Sequence, residues 1–367
     1  MTRPTRLSFV LARLALGATC LLATQRPARA VLGVDDDRSS LPEGPGSVNG
    51  FADNADVSVA TGGMTYSLPF EVPDGFAGAT PSMSLAYSSG SGNGPWGMGW
   101  SVAMPSIERG TAFGLPAYTT DDSFYADGSE QLVRVDDTGA TYFEYRARFE
   151  NAFIRYRWHN PFAAASNGDY WTAELPDGSI RYFGADPAGT IDTLSREQGG
   201  AGTFKYGLVA SVDALGNRVH YTWQQLVGTA NPDRALESVS EPVLASIEYA
   251  FHADGTPRNK VVFGYEERPD AVSDCKAGFC AYLEHRTIEV SVFTGATKIR
   301  SYQLAYDPTP VASPLSRLRS RKVMGKDGGA YPAANAFDYT QALGVGCSVN
   351  DCGIPSLVTM TGAMLGA

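Results

Sequence analysis

Asp-Gly and Gly-Asn dipeptides punctuate this 367-residue chain at Asp127-Gly128, Asp177-Gly178, Gly216-Asn217, Asp254-Gly255 and Asp327-Gly328. These pairs supply the positive φ angles that tight hairpin turns require. The runs between them alternate at a period of two. Ile154, Tyr156 and Trp158 interleave with Arg155 and Arg157; Ile288, Val290 and Val292 with Glu289 and Ser291; Tyr302, Leu304 and Tyr306 with Gln303 and Ala305. Aromatic and β-branched residues at that period are the signature of strands. No apolar pattern at the helical period runs beyond about three turns. The sequence therefore predicts an all-β protein of consecutive antiparallel hairpins, forming a sandwich or a curved β-shell wall. Its clearest hairpin spans 171–184, with Pro176-Asp177-Gly178-Ser179 as the turn.

Residues 57–109 have a different texture. No Asp, Glu, His, Lys or Arg lies between Asp74 and Glu108, and the tract from Ser88 to Trp100 is dominated by glycine and serine. Acid–base chemistry has no footing in such a segment. Gly94, Gly97 and Gly99 are expected to admit close backbone approach while Trp96 and Trp100 plug a core. The tract lacks the Lys-Ser/Thr ending of a phosphate loop, so a ligand cradle is the lesser reading.

Several motifs in this order carry a resemblance. They are Tyr66 to Phe70, the Val72-Pro73-x-Gly75 turn, Pro81 to Ser89, Gly92 to Ser101, and Ile107-Glu108-Arg109. Further ones lie at Trp171 to Gly184, Phe263 to Asp270, Tyr302 to Tyr306 and Leu318 to Gly328. Together they resemble the N-terminal domain of the SpvB-type virulence-plasmid B protein family. That domain is shared with B subunits of insecticidal toxin complexes and with RHS/YD-repeat proteins. The hairpins around Leu215 to Tyr221 and Ile247 to Tyr249 also look like RHS/YD repeats, although their spacing is too irregular for a solenoid. The resemblance implies a β-shell that encapsulates or docks a toxin, with other modules or subunits of a toxin or RHS assembly as partners. The founding protein carries an ADP-ribosyltransferase domain at its far C-terminus, which needs an E-x-E pair. This chain contains none, so the resemblance implies no catalytic residue here.

The ends read as processing and linker segments. Residues 1–30 combine Arg3 and Arg6, an apolar run from Leu14 to Ala23 and an Ala28-Arg29-Ala30 cleavage site, the pattern of a secretory signal peptide. The run is too short for a membrane span. Residues 31–56 form a flexible, acidic leader, 57–346 the β domain, and 347–367 a stub of a following repeat module. The Leu357, Val358 and Met360 stretch is then a docking edge, and the chain a truncated product. Export implies a secreted or extracellular location, although family relatives are also found in host or bacterial cytoplasm.

Removing residues 1–30, with five arginines and no acid, leaves 24 basic against 39 acidic side chains. Such a chain repels nucleic-acid backbones and anionic membranes, so neither is an expected partner. Cys275 and Cys280, and Cys347 and Cys352, form two closely spaced pairs. Two local disulfides or one four-thiolate zinc site would both use them; the export signal favours disulfides.

Chemistry is sparse. The four histidines, at 159, 220, 252 and 285, make no metal-binding pair, and no G-x-S-x-G elbow occurs. Asp121-Asp122, Asp136-Asp137 and Glu266-Glu267 are adjacent in sequence and would face opposite sides of a strand. The expectation is a secreted, virulence-related module that is not an enzyme, with no catalytic, metal or cofactor-binding residue and no cofactor. The runner-up is a stand-alone exported adhesin or carbohydrate-binding β-domain. A hydrolase with acids from separate loops ranks third.

Overall fold

Met64 to Pro69 alternates exposed and buried side chains, with Tyr66 and Leu68 turned inward, as a half-buried strand must. It opens a computed structural model that describes residues 56–57, 63–136, 141–229, 238–307, 315–331, 334–339 and 359–362. These lie in one compact unit, Phe51–Ala367. The signal peptide, nearly all of the leader, Cys347, Cys352, Leu357 and Val358 lie outside the described residues. No helix among the described residues is long and apolar enough to cross a membrane.

Strands β1 (Asp56–Val57), β2 (Met64–Pro69) and β3 (Ser84–Ser88) begin the chain. A two-strand ribbon, β4 (Asn93–Gly94) and β5 (Gly97–Met98), precedes β6 (Trp100–Val102), which joins β3 to give a sheet of order β1-β2-β3-β6. The segment after β2 lies across later strands. The Tyr249 hydroxyl donates to the Pro73 carbonyl (2.8 Å), and the Glu71 N–H donates to the Tyr302 hydroxyl (2.8 Å).

A barrel follows, built from β7 (Ser106–Arg109), β8 (Phe124–Ala126), β9 (Glu130–Asp136), β10 (Tyr142–Ala147), β11 (Arg155–His159), β12 (Tyr170–Glu174), β13 (Ile180–Phe183), β14 (Arg196–Gly199) and β15 (Gly202–Val212). From β7 to β13 each strand pairs antiparallel with the next. Strand β13 then passes over β14 to pair with β15, and β15 returns to β7 through Lys205↔Glu108 and Gly207↔Ser106. Eight strands therefore close, with β14 as a side hairpin on β15. Closure leaves no strand edge in the ring. As in other small barrels, side chains fill the interior. Trp158 and Trp171 stack at 5.8 Å, and Phe124 lies 4.8 Å from each ring.

The far half of β15 also pairs with β16 (Arg218–Gln225), so the sheet leaves the barrel and continues as a wall. It comprises β17 (Val239–Ser240), β18 (Pro242–Phe251), β19 (Pro257–Asp274), β20 (Ala281–Thr294), β21 (Thr297–Tyr306), β22 (Leu318–Gly325), β23 (Asn335–Asp338) and β24 (Thr359–Gly362). Strands β18 to β24 run as successive antiparallel neighbours. The dipeptide turns sit where expected, with Gly128, Gly178, Gly216, Gly255 and Gly328 all at positive φ. The all-β hairpin architecture matches the sequence reading, and the closed barrel is an added feature. Its closing pair joins segments about a hundred residues apart, which no local pattern reveals.

Candidate functional site

The tryptophan tract forms the junction between the first sheet, the barrel and the wall. Trp100 is fully buried among Tyr87 (5.1 Å), Phe337 (4.6 Å) and Tyr66 (6.3 Å), and its indole N–H donates to the Tyr339 hydroxyl at 2.7 Å. Trp96 packs on Phe70 (5.8 Å) and Phe263 (6.2 Å). Two glycines make this approach possible. At Gly97, with φ of +90°, a Cβ would lie 2.6 Å from the Ser316 carbonyl oxygen; at Gly99, with φ of +80°, it would lie 2.5 Å from the Tyr87 ring. Gly94 differs, since a Cβ there would meet only the Trp100 carbonyl at 3.8 Å.

A buried ion pair pins this tract. Arg268 donates to Asp270 (Nε to Oδ1, 3.0 Å), to the Asn93 side-chain oxygen (2.6 Å) and to the Gly94 carbonyl (3.1 Å). Asp270 also accepts from the Asn93 amide nitrogen (2.8 Å) and from the backbone and hydroxyl of Ser316. Burial alone would raise the Asp270 carboxyl. Hydrogen bonds from Arg268, Ser316 and Asn93 outweigh it and hold the group down at about 2. The Phe263 to Asp270 motif and the glycine–tryptophan motif, remote in sequence, are thus two halves of one joint. The sequence marks Arg268 and Asp270 only as members of the Phe263 to Asp270 motif, with no role assigned, whereas the tryptophans are expected to plug a core.

The barrel interior holds a second polar network. Arg196 donates to the carbonyls of Gly184, Asn167 and Asp169, while Asp169 accepts from Trp158 Nε1 at 2.7 Å and from the Tyr206 hydroxyl. Arg109 reaches Asp122 at 2.6 Å and lies 4.8 Å from the Phe124 ring. Enclosed by strands and rings, these charges brace the barrel. His159 lies on the outer face against Tyr170 (4.5 Å) and bonds Thr172 Oγ1; burial, and secondarily Arg157, lower its ring to about 4.

Cys275 and Cys280 are joined in a disulfide at the tip of the β19–β20 hairpin. The tip rests on the barrel: the Tyr118 hydroxyl donates to the Ala277 carbonyl (2.6 Å), and a Cβ on Gly199 would lie 2.5 Å from the Phe279 ring.

Beside the tryptophan joint is a cavity of about 210 Å³ lined by aromatic side chains, Lys205 and two acids, Glu197 on β14 and Glu241 between β17 and β18. Glu197 is 6 % exposed, and its Oε1 is buried without a hydrogen-bond partner. Burial, and secondarily Glu241, push its carboxyl up to about 7 against an opposing pull from Lys205. Burial also raises Glu241. The two carboxylates come from β14 and from the residue between β17 and β18, and no spacing in the sequence marks them.

Comparison with known proteins places this architecture. The family model for the Salmonella virulence plasmid 65kDa B protein matches residues 58–241. The mono(ADP-ribosyl)transferase SpvB of Salmonella choleraesuis is 32 % identical over 180 residues, covering 44 % of this chain and 29 % of that protein; SpvB of Salmonella typhimurium gives the same figures. The chain therefore spans under a third of the length of these relatives. Among solved structures, TcdB2-TccC3 aligns with a TM-score of 0.67 at 23 % identity, over 82 % of this chain and 17 % of that one. The N-terminal domain of the effector protein SpvB from Salmonella typhimurium aligns with a TM-score of 0.60 at 24 % identity, over 71 % of this chain and 98 % of that domain. A Photorhabdus luminescens Tc holotoxin pore shares the fold at 22 % identity and a TM-score of 0.66.

One expectation is corrected. The chain was expected not to be an enzyme, but the relatives it matches are named mono(ADP-ribosyl)transferases, so its kin are enzymes. The missing E-x-E pair describes this chain's residues and does not set it outside that group. With a family model matched over half its length, the chain belongs to the SpvB family of Salmonella virulence plasmid 65kDa B proteins and carries the β fold found in toxin-complex components.

Proposed function

We propose that the chain serves as an exported wall module of a toxin-complex or RHS-type assembly, with its barrel and wall forming part of a β-shell that encloses or docks a toxin. One observation carries this reading. Four-fifths of the chain superposes on about a sixth of the TcdB2-TccC3 polypeptide, so the same fold occurs as one part of a much larger toxin structure. The interior supports the reading. Arg196 is bonded through all three guanidinium nitrogens, and the buried Arg109 and Asp169 tie remote segments together through Thr203, Asp122 and Trp158, which suits a load-bearing wall. Purifying the epitope-tagged full chain from the organism that encodes it, under native conditions, tests the proposal by light scattering and mass spectrometry. Recovery in a particle several times its own mass, with a second polypeptide of toxin-complex or RHS sequence, is expected. Recovery as a free monomer would refute it.

A specific feature favours a second reading, glycan binding. Tyr142, His159 and Tyr170 are cross-strand neighbours on the outer barrel face, with centroids 5.9 and 4.5 Å apart. His159 and Tyr170 stack within 6° while Tyr142 is tilted by 50°, and such an aromatic cluster can pack against the apolar face of a sugar ring. Glycan-array binding that is lost in Tyr170→Ala would move the account to this reading.

A further inference from the structure

The chemistry of the cavity beside the tryptophan joint is lopsided. Three of its polar aromatic ends are engaged elsewhere. Trp223 Nε1 donates to the Leu208 carbonyl (2.8 Å), Trp100 Nε1 to Tyr339, and the Tyr265 hydroxyl to the Leu244 carbonyl (2.6 Å). What the rings leave facing the space is chiefly carbon. The acids are in the opposite condition: Glu197 Oε1 is buried and unpartnered, and Glu241 has no ion pair among the described residues. The lysines nearby have carboxylates of their own, Lys205 with Glu108 (3.9 Å) and Lys276 with Asp274 (3.3 Å). A buried acceptor without a donor is costly; Lys205 lines the same cavity across the strand from Glu197, but its ion pair is with Glu108 and Glu197 Oε1 receives no hydrogen bond from it.

We propose that this cavity binds a small organic cation, an ammonium group on an apolar body, with the ammonium against Glu197 and Glu241 and the body among Trp96, Trp100, Trp223 and Tyr265. The ammonium supplies the donors that the carboxylates lack, and indole and phenol rings attract cations as well as apolar surface. Size agrees. An engineered apolar cavity of about 150 Å³ holds benzene, so about 210 Å³ accommodates a ring bearing a short amine. An anion is disfavoured because two acids and one lysine, Lys205, line the space. A neutral ligand would leave Glu197 Oε1 without a charge partner. The elevated Glu197 carboxyl supports the reading, because a bound cation would restore the charged form that burial disfavours. This inference does not rest on the assembly proposed above.

Isothermal titration of the full chain at pH 8 with three matched probes tests it: 2-phenylethylammonium, 2-phenylethanol and phenylacetate. The cation is expected to bind at least tenfold more tightly than the alcohol, with no measurable binding of the carboxylate. Glu197→Gln and Glu241→Gln should each weaken the cation at least tenfold, and the surface control Glu248→Gln should leave it unchanged. Should either variant fail to fold, indole N–H resonances of the unmodified protein decide the matter. Titration should move those of Trp223 and Trp100 and leave those of Trp158 and Trp171, inside the barrel, in place. Equal affinity for cation and alcohol, no binding of the cation, or shifts confined to the barrel tryptophans would overturn the proposal.

Discussion

Trp100 fills a space that only its ring and the absence of two Cβ atoms make available. Trp100→Ala should cost about 3–5 kcal/mol, the usual range for a fully buried large aromatic, and urea midpoints measure it directly. Unchanged midpoints would place the ring outside the core. Arg268→Ala should be comparably severe, about 3–5 kcal/mol, because it strands the buried Asp270 carboxylate. Glu197 makes a prediction with a sign. Its folded-state value of about 7 lies above the unfolded value near 4.5, so the neutral form stabilises the fold fully below about pH 4.5, and that contribution disappears as pH rises through 7. The size is about 3 kcal/mol. Thermal melts should show Glu197→Gln close to the parent at pH 4.5 and more stable than it at pH 8; equal melting temperatures at pH 8 would contradict the burial argument. Of these residues, only the tryptophans were legible in the sequence, because a charge-free tract of glycine and indole has few uses besides packing. Arg268 and Asp270 look like an ordinary polar bend until Asn93, 175 positions away, arrives against them. Glu197 reads as one more surface acid.

Strands and turns were the most readable features, since period-two alternation and Asp-Gly turns are local. Pairings between remote strands were not. Strand β7 closes the barrel against β15, and nothing near Ser106 or Lys205 announces the partner. The disulfide pairing belongs to the same scale. Cys275–Cys280 closes a short loop whose stabilisation on the chain-entropy model is about 2 kcal/mol. The loop also seats the β19–β20 tip on the barrel through Tyr118, Ala277, Phe279 and Gly199. Cys275→Ser should therefore lower stability by about 2 kcal/mol. It should speed amide exchange at 275–280 and in β14, and leave exchange in β10–β13 unchanged. Exchange that rises evenly across the barrel would show that the tip and the barrel do not open separately.

At the scale of the molecule, the first sheet, the barrel and the wall meet at one buried joint, and the same fold recurs as a fraction of far larger toxin polypeptides. A family resemblance was visible in the ordered motifs, whereas the absence of an E-x-E pair led to the expectation of no enzyme that the naming of the relatives overturned. Electron microscopy of the natively purified particle containing the tagged chain decides whether the chain is a segment of a shell. The expected image is a closed shell in which this barrel and wall occupy a segment of the wall, with one face of β18–β22 turned to an enclosed space. A particle in which the chain stands apart from any shell, with both faces of that sheet open to solvent, would contradict it.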